Sequence, residues 1–337
     1  MLHYSDSAKQ FTGVTAEESY CTRTAVKMKW MILFALHLIL LHVGDSSSLR
    51  LIKPNVIALE VNGDPMIQKS EVSLRCGDQF EGTEIHWQKN GLNLPAKGNN
   101  IDIAIYGMLG GNYTCHGPAG DVLNHTLVLV KPVDFEKAIL TATDKDFVTC
   151  IARNYNGPFH CSWKWDSIRN GVVVFFKASR NSHLINCSLD TDNNGLTCEE
   201  QQCPYSEEVT RIDLTLMVRS QYRLEEHQKT FFIHEIIKPD KVNILKAEDD
   251  EFKWEIPTTW NAPCTFYPLQ YEVKVVSHRR NCDHTGNHSE PYYTNKTHYK
   301  VTSRKSYTFC VRAQDFLTNQ VWSDWSEQKI SKHKSEK

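Results

Sequence analysis

The cysteines constrain this chain more than any other feature. Eleven occur in 337 residues, and all but Cys21 follow residue 75. Cys150 and Cys161 stand eleven positions apart, and Cys187 and Cys198 repeat that interval. Zinc is the competing use of such clusters, but no Cys-x2-Cys pair is present, and structural zinc sites usually need one. Disulfides in an oxidising compartment are the expectation, with no metal and no cofactor. The intervening sequence alternates with period two. "EVSLRC" places Val72, Leu74 and Cys76 on one face, "RIDLTLMV" does so with Ile212, Leu214, Leu216 and Val218, and "QYEVKVV" with Tyr271, Val273 and Val275. Such alternation marks half-buried antiparallel strands. No helical periodicity of useful length competes, so the fold class is all-β. The length suits about three units of ~100 residues.

Charge excludes one class of partner. The formal net charge is -2, with acids and bases interspersed, which is not the footprint of a nucleic-acid binder. Near the start, "VKMKWMILFALHLILLHVGDSSS" carries Lys27 and Lys29, an apolar run from Trp30 to Val43, and then small residues. This is the grammar of a secretory signal. A membrane anchor needs about 20 apolar residues; this run is shorter and contains His37 and His42. Residues 1–48 are read as a leader, with Met28 as a second start and cleavage after Ser46 or Ser48. No long apolar run follows, so the mature chain is expected to be secreted, without a membrane anchor. Sequons stand at Asn112, Asn124, Asn186, Asn287 and Asn295, and each needs surface exposure to carry a glycan. Cys187 occupies the middle position of the Asn186 sequon and lowers its expected occupancy.

Catalysis finds no foothold. No Gly-x-Gly-x-x-Gly, P-loop, Gly-x-Ser-x-Gly or His-Glu-x-x-His run occurs. "HEIIK" begins like the last of these at His234, but Lys238 replaces the second histidine. His234 is therefore expected to be an exposed hinge residue, and an enzyme is not expected.

Three units follow the leader. In residues 49–131, Cys76 and Cys115 bracket Trp87, and Tyr113 precedes the second cysteine by two. This matches the immunoglobulin pattern, in which the tryptophan packs on an inter-sheet disulfide and the tyrosine forms a corner. Leu109 stands where that pattern has an aspartate. Residues 132–237 hold "CIARNYNGPFHCSWKW", where Cys161, Trp163 and Trp165 alternate onto one face, and then the second eleven-residue interval. This unit resembles the N-terminal fibronectin-like domain of class I cytokine receptors. The resemblance pairs Cys150 with Cys161 and Cys187 with Cys198, each loop contributing ~3 kcal/mol in the chain-entropy model. In "FFIHEIIKPD", Phe231 to Ile233 should finish a strand and Pro239 should stop pairing, making a hinge. Residues 238–337 form a second fibronectin-like unit, which ends in "WSDWS". Trp322 and Trp325 should face one way, flanking Arg312 from "YTFCVRAQD", which buries Tyr307, Phe309 and Val311. A guanidinium between indoles gains ~0.5–2 kcal/mol per contact. With Ser323 and Ser326, the motif is read as a folding element rather than a ligand surface.

Together, "RNYNGPFHC", "FFIHEIIKPD", "VRAQD" and "WSDWS" resemble the interleukin-12 beta-subunit family, shared with interleukin-23, across essentially the whole mature chain. The resemblance implies a secreted, receptor-like chain that holds a four-helix alpha subunit and engages class I cytokine-receptor chains to trigger immune signalling. It places the interchain disulfide at Cys203, in "QQCPYSEE"; by spacing alone, Cys203 and Cys198 compete for Cys187. Glu207 matches an acidic position beside that junction. Asp315 matches the acid of a pocket that receives an arginine of the alpha subunit, and a carboxylate there can hold it bidentately; a solvated turn acid is the plainer alternative. Phe266 and Tyr267 are the matching aromatic walls. The chain departs from the family pattern at Ser303, where a cysteine is expected, and after Trp325, where none follows. Cys282 is assigned as the partner of Cys310, on the outward face of its strand, and Cys264 is left free, capped or a second crosslink. The family's lysine-rich, glycosaminoglycan-associated loop reads "SHRRNCDHTGNH", with Arg279 and Arg280 as its firm charges. A beta–beta homodimer stays open. The rival reading is a soluble receptor or decoy that binds a helical cytokine reversibly, and Cys203 discriminates between the two. An adhesion module ranks last, having no use for the Trp-Ser-x-Trp-Ser segment.

Overall fold

The computed structural model describes residues 48–64, 67–144, 146–201, 208–248, 250–260, 267–283, 290–318 and 321–332. The signal segment with Met28, together with Cys203, Glu207, Cys264, Phe266 and Asn287, lies outside the described residues. The chain is all-β, and its strands fall into three groups. The first contains β1 (Ser48–Lys53), β2 (Val56–Val61), β3 (Lys69–Arg75), β4 (His86–Lys89), β5 (Leu92–Lys97), β6 (Asn100–Tyr106), β7 (Gly111–His116) and β8 (Val122–Pro132). The middle group has β9 (Leu140–Thr141), β10 (Val148–Ile151), β11 (Pro158–Trp165), β12 (Gly171–Arg180), β13 (His183–Leu189), β14 (Gly195–Glu199), β15 (Ile212–Ser220) and β16 (Arg223–Phe231). The last has β17 (Asn243–Glu248), β18 (Glu251–Glu255), β19 (Leu269–Ser277), β20 (Tyr292–Thr294), β21 (His298–Lys300), β22 (Tyr307–Asp315) and β23 (Ser326–Ile330).

The first unit packs the antiparallel β3–β6 pair over a sheet containing β2, β8, β7, β4 and β5. Val72, Leu74, Ile101, Ile103 and Ile105 fill the space between them. Cys76 and Cys115 are bonded, Trp87 is buried with them, and its indole N–H donates to the Gly98 carbonyl at 2.9 Å. Burial pushes the Tyr113 hydroxyl up to about 12. At Leu109, where the immunoglobulin pattern has an aspartate, the backbone carbonyl accepts a hydrogen bond from Lys89 Nζ at 2.9 Å. The β4–β5 turn uses Asn90 and Gly91, both with positive φ, as a tight two-residue hairpin requires.

The first and middle units share a sheet. β8 runs parallel to β2 and also meets β16, where Arg223 pairs with Val130; the Val130 N–H donates to the Tyr222 carbonyl at 2.8 Å. Val56, Ala58 and Leu129 from one side and Val174, Met217 and Leu224 from the other form a small apolar core across the seam. Gly110 permits this approach: a Cβ there would stand 2.2 Å from the Val128 carbonyl oxygen and 2.8 Å from Tyr222 Cβ. Arg50, Glu60, Lys131 and Glu226 rim the seam as a network of ion pairs.

The middle and last units share one apolar core but not a sheet, as far as the described residues go. β16 ends at Phe231, and Ile233 opens a 3-10 turn through Glu235 instead of finishing the strand. Ile233, Ile236, Ile237 and Val242 then carry the core from one sandwich to the next. In the middle unit, Cys150 faces Cys161 directly across β10 and β11, and Cys187 faces Cys198 across β13 and β14; both pairs are bonded. The last unit faces β17–β18–β21 against β20–β19–β22–β23.

Candidate functional site

Two groups of singled-out residues meet in the last unit. The first is a ladder on the outer face of β19 and β22. Arg312 lies directly opposite Glu272 in the register, and its guanidinium donates to one Glu272 carboxylate oxygen through two nitrogens. That carboxylate is buried, so the pair fixes the guanidinium plane. Trp322 lies 4.9 Å and Trp325 4.4 Å from the guanidinium carbon, on the ring centroids. Lys274 Nζ caps Trp325 at 4.6 Å, and Tyr293 adjoins Trp322 at 6.0 Å. The serines do different work. Ser323 exchanges hydrogen bonds with the Ala313 backbone and so zips the irregular segment onto β22. Ser326 Oγ donates to the Val242 carbonyl in the hinge, while Asp324 pairs with Lys238 at 2.9 Å. The motif therefore braces the elbow from behind.

Beneath this face Cys310 bonds to Cys282. Cys310 sits on the face opposite Phe309 and Val311, as expected, but it is buried rather than outward, because Cys282, Val276 and Trp325 cover it. Ser303 instead finishes a turn by accepting the Lys305 N–H at 3.2 Å.

The second group is the elbow itself. Asp315 ends β22 and is 1% exposed, so it is not a solvated turn acid. It accepts hydrogen bonds from the Tyr155 hydroxyl of the middle strand group, from Leu317 N–H at 2.9 Å and from Thr318 Oγ1 at 3.0 Å. Among the described residues, no lysine or arginine forms an ion pair with it. Tyr155 is fully buried; burial and then the Asp315 bond push its hydroxyl well above the usual tyrosine value. Tyr267 packs edge-on against Tyr155 at 5.4 Å, and Trp260 lies 6.3 Å away, its indole donating to the Tyr267 carbonyl. Tyr267 and Asp315 thus both adjoin Tyr155. Phe316 and Leu317, the next two residues in the chain, are exposed at 47% and 49%.

Sequence reading did not single out Tyr155, Trp260, Glu272 or Lys274, since each depends on strand register or on the inter-domain angle. His234 is a correction. It is half-buried, and its Nδ1 sits 2.9 Å from Glu208, whose carboxylate draws several hinge donors. The bond between Cys187 and Cys198 takes both out of competition for Cys203. Asn112, Asn186 and Asn295 are exposed. Asn124 is half-buried, and its Nδ2, the nitrogen a glycan would occupy, donates to the Cys76 carbonyl at 2.6 Å. Arg279 and Arg280 are exposed beside the Cys282 bridge.

The family profile described as cytokine interleukin-12p40 C-terminus matches residues 145–220, which lie within the middle sandwich. Interleukin-12 subunit beta of Mesocricetus auratus is 28% identical over 306 residues, covering 81% of this chain and 90% of the relative. The Homo sapiens protein of the same name is 29% identical over 307 residues, covering 82% and 91%. That of Papio anubis is 29% identical over 309 residues, with the same coverage. These relatives are cytokine chains by name, and the chain is not an enzyme. No helix among the described residues is long and apolar enough to cross a membrane.

Proposed function

We propose that the chain, similar over most of its length to interleukin-12 subunit beta, is a cytokine subunit of that family, secreted as the receptor-like half of a heterodimeric cytokine. Cys203 forms the disulfide to a four-helix alpha subunit, with Glu207 beside it, and class I cytokine-receptor chains on target cells read the pair. The observation that carries the reading is the elbow. Asp315 is a buried carboxylate whose donors among the described residues are neutral, followed in the chain by two exposed apolar side chains. A carboxylate accepts about four hydrogen bonds and binds a guanidinium more strongly than a hydroxyl. An arginine from a helical partner, entering past Phe316 and Leu317, would supply the missing charge, with Phe266 and Tyr267 as its aromatic surroundings. Exposed apolar side chains beside such a group are the usual marks of an anchoring pocket.

The test is co-expression with a helical alpha subunit, comparing wild type with Cys203→Ser by non-reducing electrophoresis and peptide mapping. A reduction-sensitive heterodimer whose crosslinked peptide contains Cys203, and which Cys203→Ser abolishes, is the expected result. Cys203 found bonded within its own chain, with only reversible association, would replace this reading with that of a soluble receptor or decoy.

A further inference from the structure

The outer-face ladder of the last unit ends in a tyrosine that its neighbours leave half in water. Tyr293 lies directly opposite Glu272, and Glu272 directly opposite Arg312, so the three share one row and one face of the sheet. The Tyr293 ring meets Trp322 at 6.0 Å, tilted by 33°, yet the residue is 52% exposed. It belongs to β20, which ends its sheet among the described residues. An aromatic ring exposed at the end of a fixed row is a platform that a group of matching chemistry can cover.

The chain supplies such a group two residues on. Asn295 and Thr297 complete a sequon, and Asn295 is exposed directly after β20. Of the five sequons, this one alone has an aromatic residue two places before its asparagine; the others have Gly110, Val122, Leu184 and Thr285 there. Along a strand, side chains two apart leave on the same face, and the backbone rises about 6.7 Å between them. An asparagine side chain with one pyranose ring spans that gap. The connection is also held at both ends. Thr294 Oγ1 accepts the Lys296 N–H at 3.0 Å, and the Thr297 carbonyl accepts the Trp254 N–H of the facing sheet at 3.0 Å.

We propose that Asn295 carries an N-linked glycan whose first N-acetylglucosamine packs on the exposed face of Tyr293, making the sugar the outermost rung of the ladder. This rests on the secretory part of the reading above. The donor is a polyprenyl diphosphate-linked oligosaccharide of the secretory pathway. Asn295 Nδ2 bonds to the anomeric carbon, the bond from that carbon to the diphosphate oxygen breaks with its electron pair, and one amide proton leaves to a base of the transferase. One face of the pyranose then presents axial C–H groups, and the electron-rich face of an aromatic ring is their complement. Bulk at this position also shields the edge of β20, since an unpaired strand edge is a template for another chain. Asn124 makes the contrast, because its Nδ2 already donates to the Cys76 carbonyl and a glycan there would break that bond.

The full chain is expressed in animal cells fed isotope-labelled N-acetylglucosamine, as wild type, Tyr293→Phe, Tyr293→Ala and Thr297→Ala. Three quantities are read: occupancy of Asn295 by glycopeptide mass spectrometry, the ring C–H resonances of its first sugar, and the rate of enzymatic glycan release from the native chain. Those resonances are assigned as the signals missing from Thr297→Ala. Wild type and Tyr293→Phe should be occupied, with the sugar resonances shifted upfield by the aromatic ring. Tyr293→Ala should lose the shift and release the glycan several-fold faster. If Tyr293→Ala is not secreted, Tyr293→Leu, which keeps bulk without a ring, decides by the same readouts. A bare Asn295 on a chain glycosylated elsewhere overturns the inference, as does an occupied Asn295 whose sugar is unshifted in wild type or equally shifted without the ring. A chain with no glycan at any sequon would be a different failure, removing the secretory reading and this inference with it.

Discussion

The two junctions of the molecule are made differently. Between the first and middle units, the sheet continues through β8 and β16, an apolar patch of Val56, Ala58, Leu129, Val174, Met217 and Leu224 covers the seam, and four charged residues rim it. Between the middle and last units, the sheets are separate among the described residues. Aromatic packing around Tyr155, the hinge isoleucines, the bracing of the Trp-Ser-x-Trp-Ser segment and a one-residue backbone bridge of the hinge onto Ala152 hold the angle. Backbone pairing fixes register, because a slip would turn every side chain to the wrong face. Side-chain contacts fix an angle only as well as each contact is satisfied. The first two units should therefore move as one piece, while the second junction should be the freer of the two.

The largest effect should come from removing packing at the first junction. Leu224 is fully buried between the two units, and Leu224→Ala should cost about 2–4 kcal/mol through lost transfer energy and a residual cavity. Urea unfolding should show it, and hydrogen exchange should rise in β8 and β16 together. If exchange rises in β16 alone, the two units are not one piece. At the elbow, Tyr155→Phe removes one donor from the buried Asp315 carboxylate and should cost about 1–3 kcal/mol. Exchange should rise in the turn at 316–318, with β8 unaffected. Unchanged exchange there would show that Tyr155 does not hold the elbow acid.

Protons offer a milder way to separate the junctions. Burial alone would raise Glu226, but hydrogen bonds from Lys131, Arg50 and Gln228 outweigh it and hold the carboxyl at about 2, below its ordinary 4.5. A depressed carboxyl contributes fully above pH 4.5, and that contribution is lost as pH falls from 4.5 toward about 2. Tyr155 behaves in the opposite sense: its raised hydroxyl contributes below the ordinary tyrosine value of 10 and loses that contribution only above it. Exchange at the first seam should therefore rise between pH 4.5 and 2, and Glu226→Gln should flatten that step. A step that persists undiminished in Glu226→Gln would assign it to other carboxyls.

How much of this was legible in the sequence depended on range. The cysteine intervals, the Cys76–Trp87–Tyr113–Cys115 pattern and the pairing of Arg312 with two tryptophans are local or repeat a recognised spacing, and each lies where the sequence placed it. The first junction left a different sign. "VIAL" and "LVLV" are continuous apolar runs, not alternating ones, as strands buried on both faces must be. Only the structure shows that the second face meets Met217 and Leu224. Hydrogen bonds draw Arg180, Glu200, Glu208 and His234 together, and no periodicity links those positions. Asp315 was located by family resemblance, but its burial depends on Tyr155, far away in sequence and across the hinge.

The smallest expected effect tests the bracing of the elbow from outside. Lys238 in the hinge pairs with Asp324 at 2.9 Å, and this bond, against a smaller opposing effect of burial, lowers the Asp324 carboxyl below its usual range. Asp324 is 63% exposed, however, and exposed pairs contribute about 0–1 kcal/mol that salt further screens. Lys238→Ala should thus shift stability by about 0.5 kcal/mol or less, with the difference shrinking at high salt. Ser326→Ala, by contrast, removes the donor to the Val242 carbonyl and should cost about 1 kcal/mol independently of salt. If Lys238→Ala proves the costlier of the two, charge rather than backbone anchoring secures the motif to the hinge, and the elbow would then resemble the first junction more than its geometry indicates.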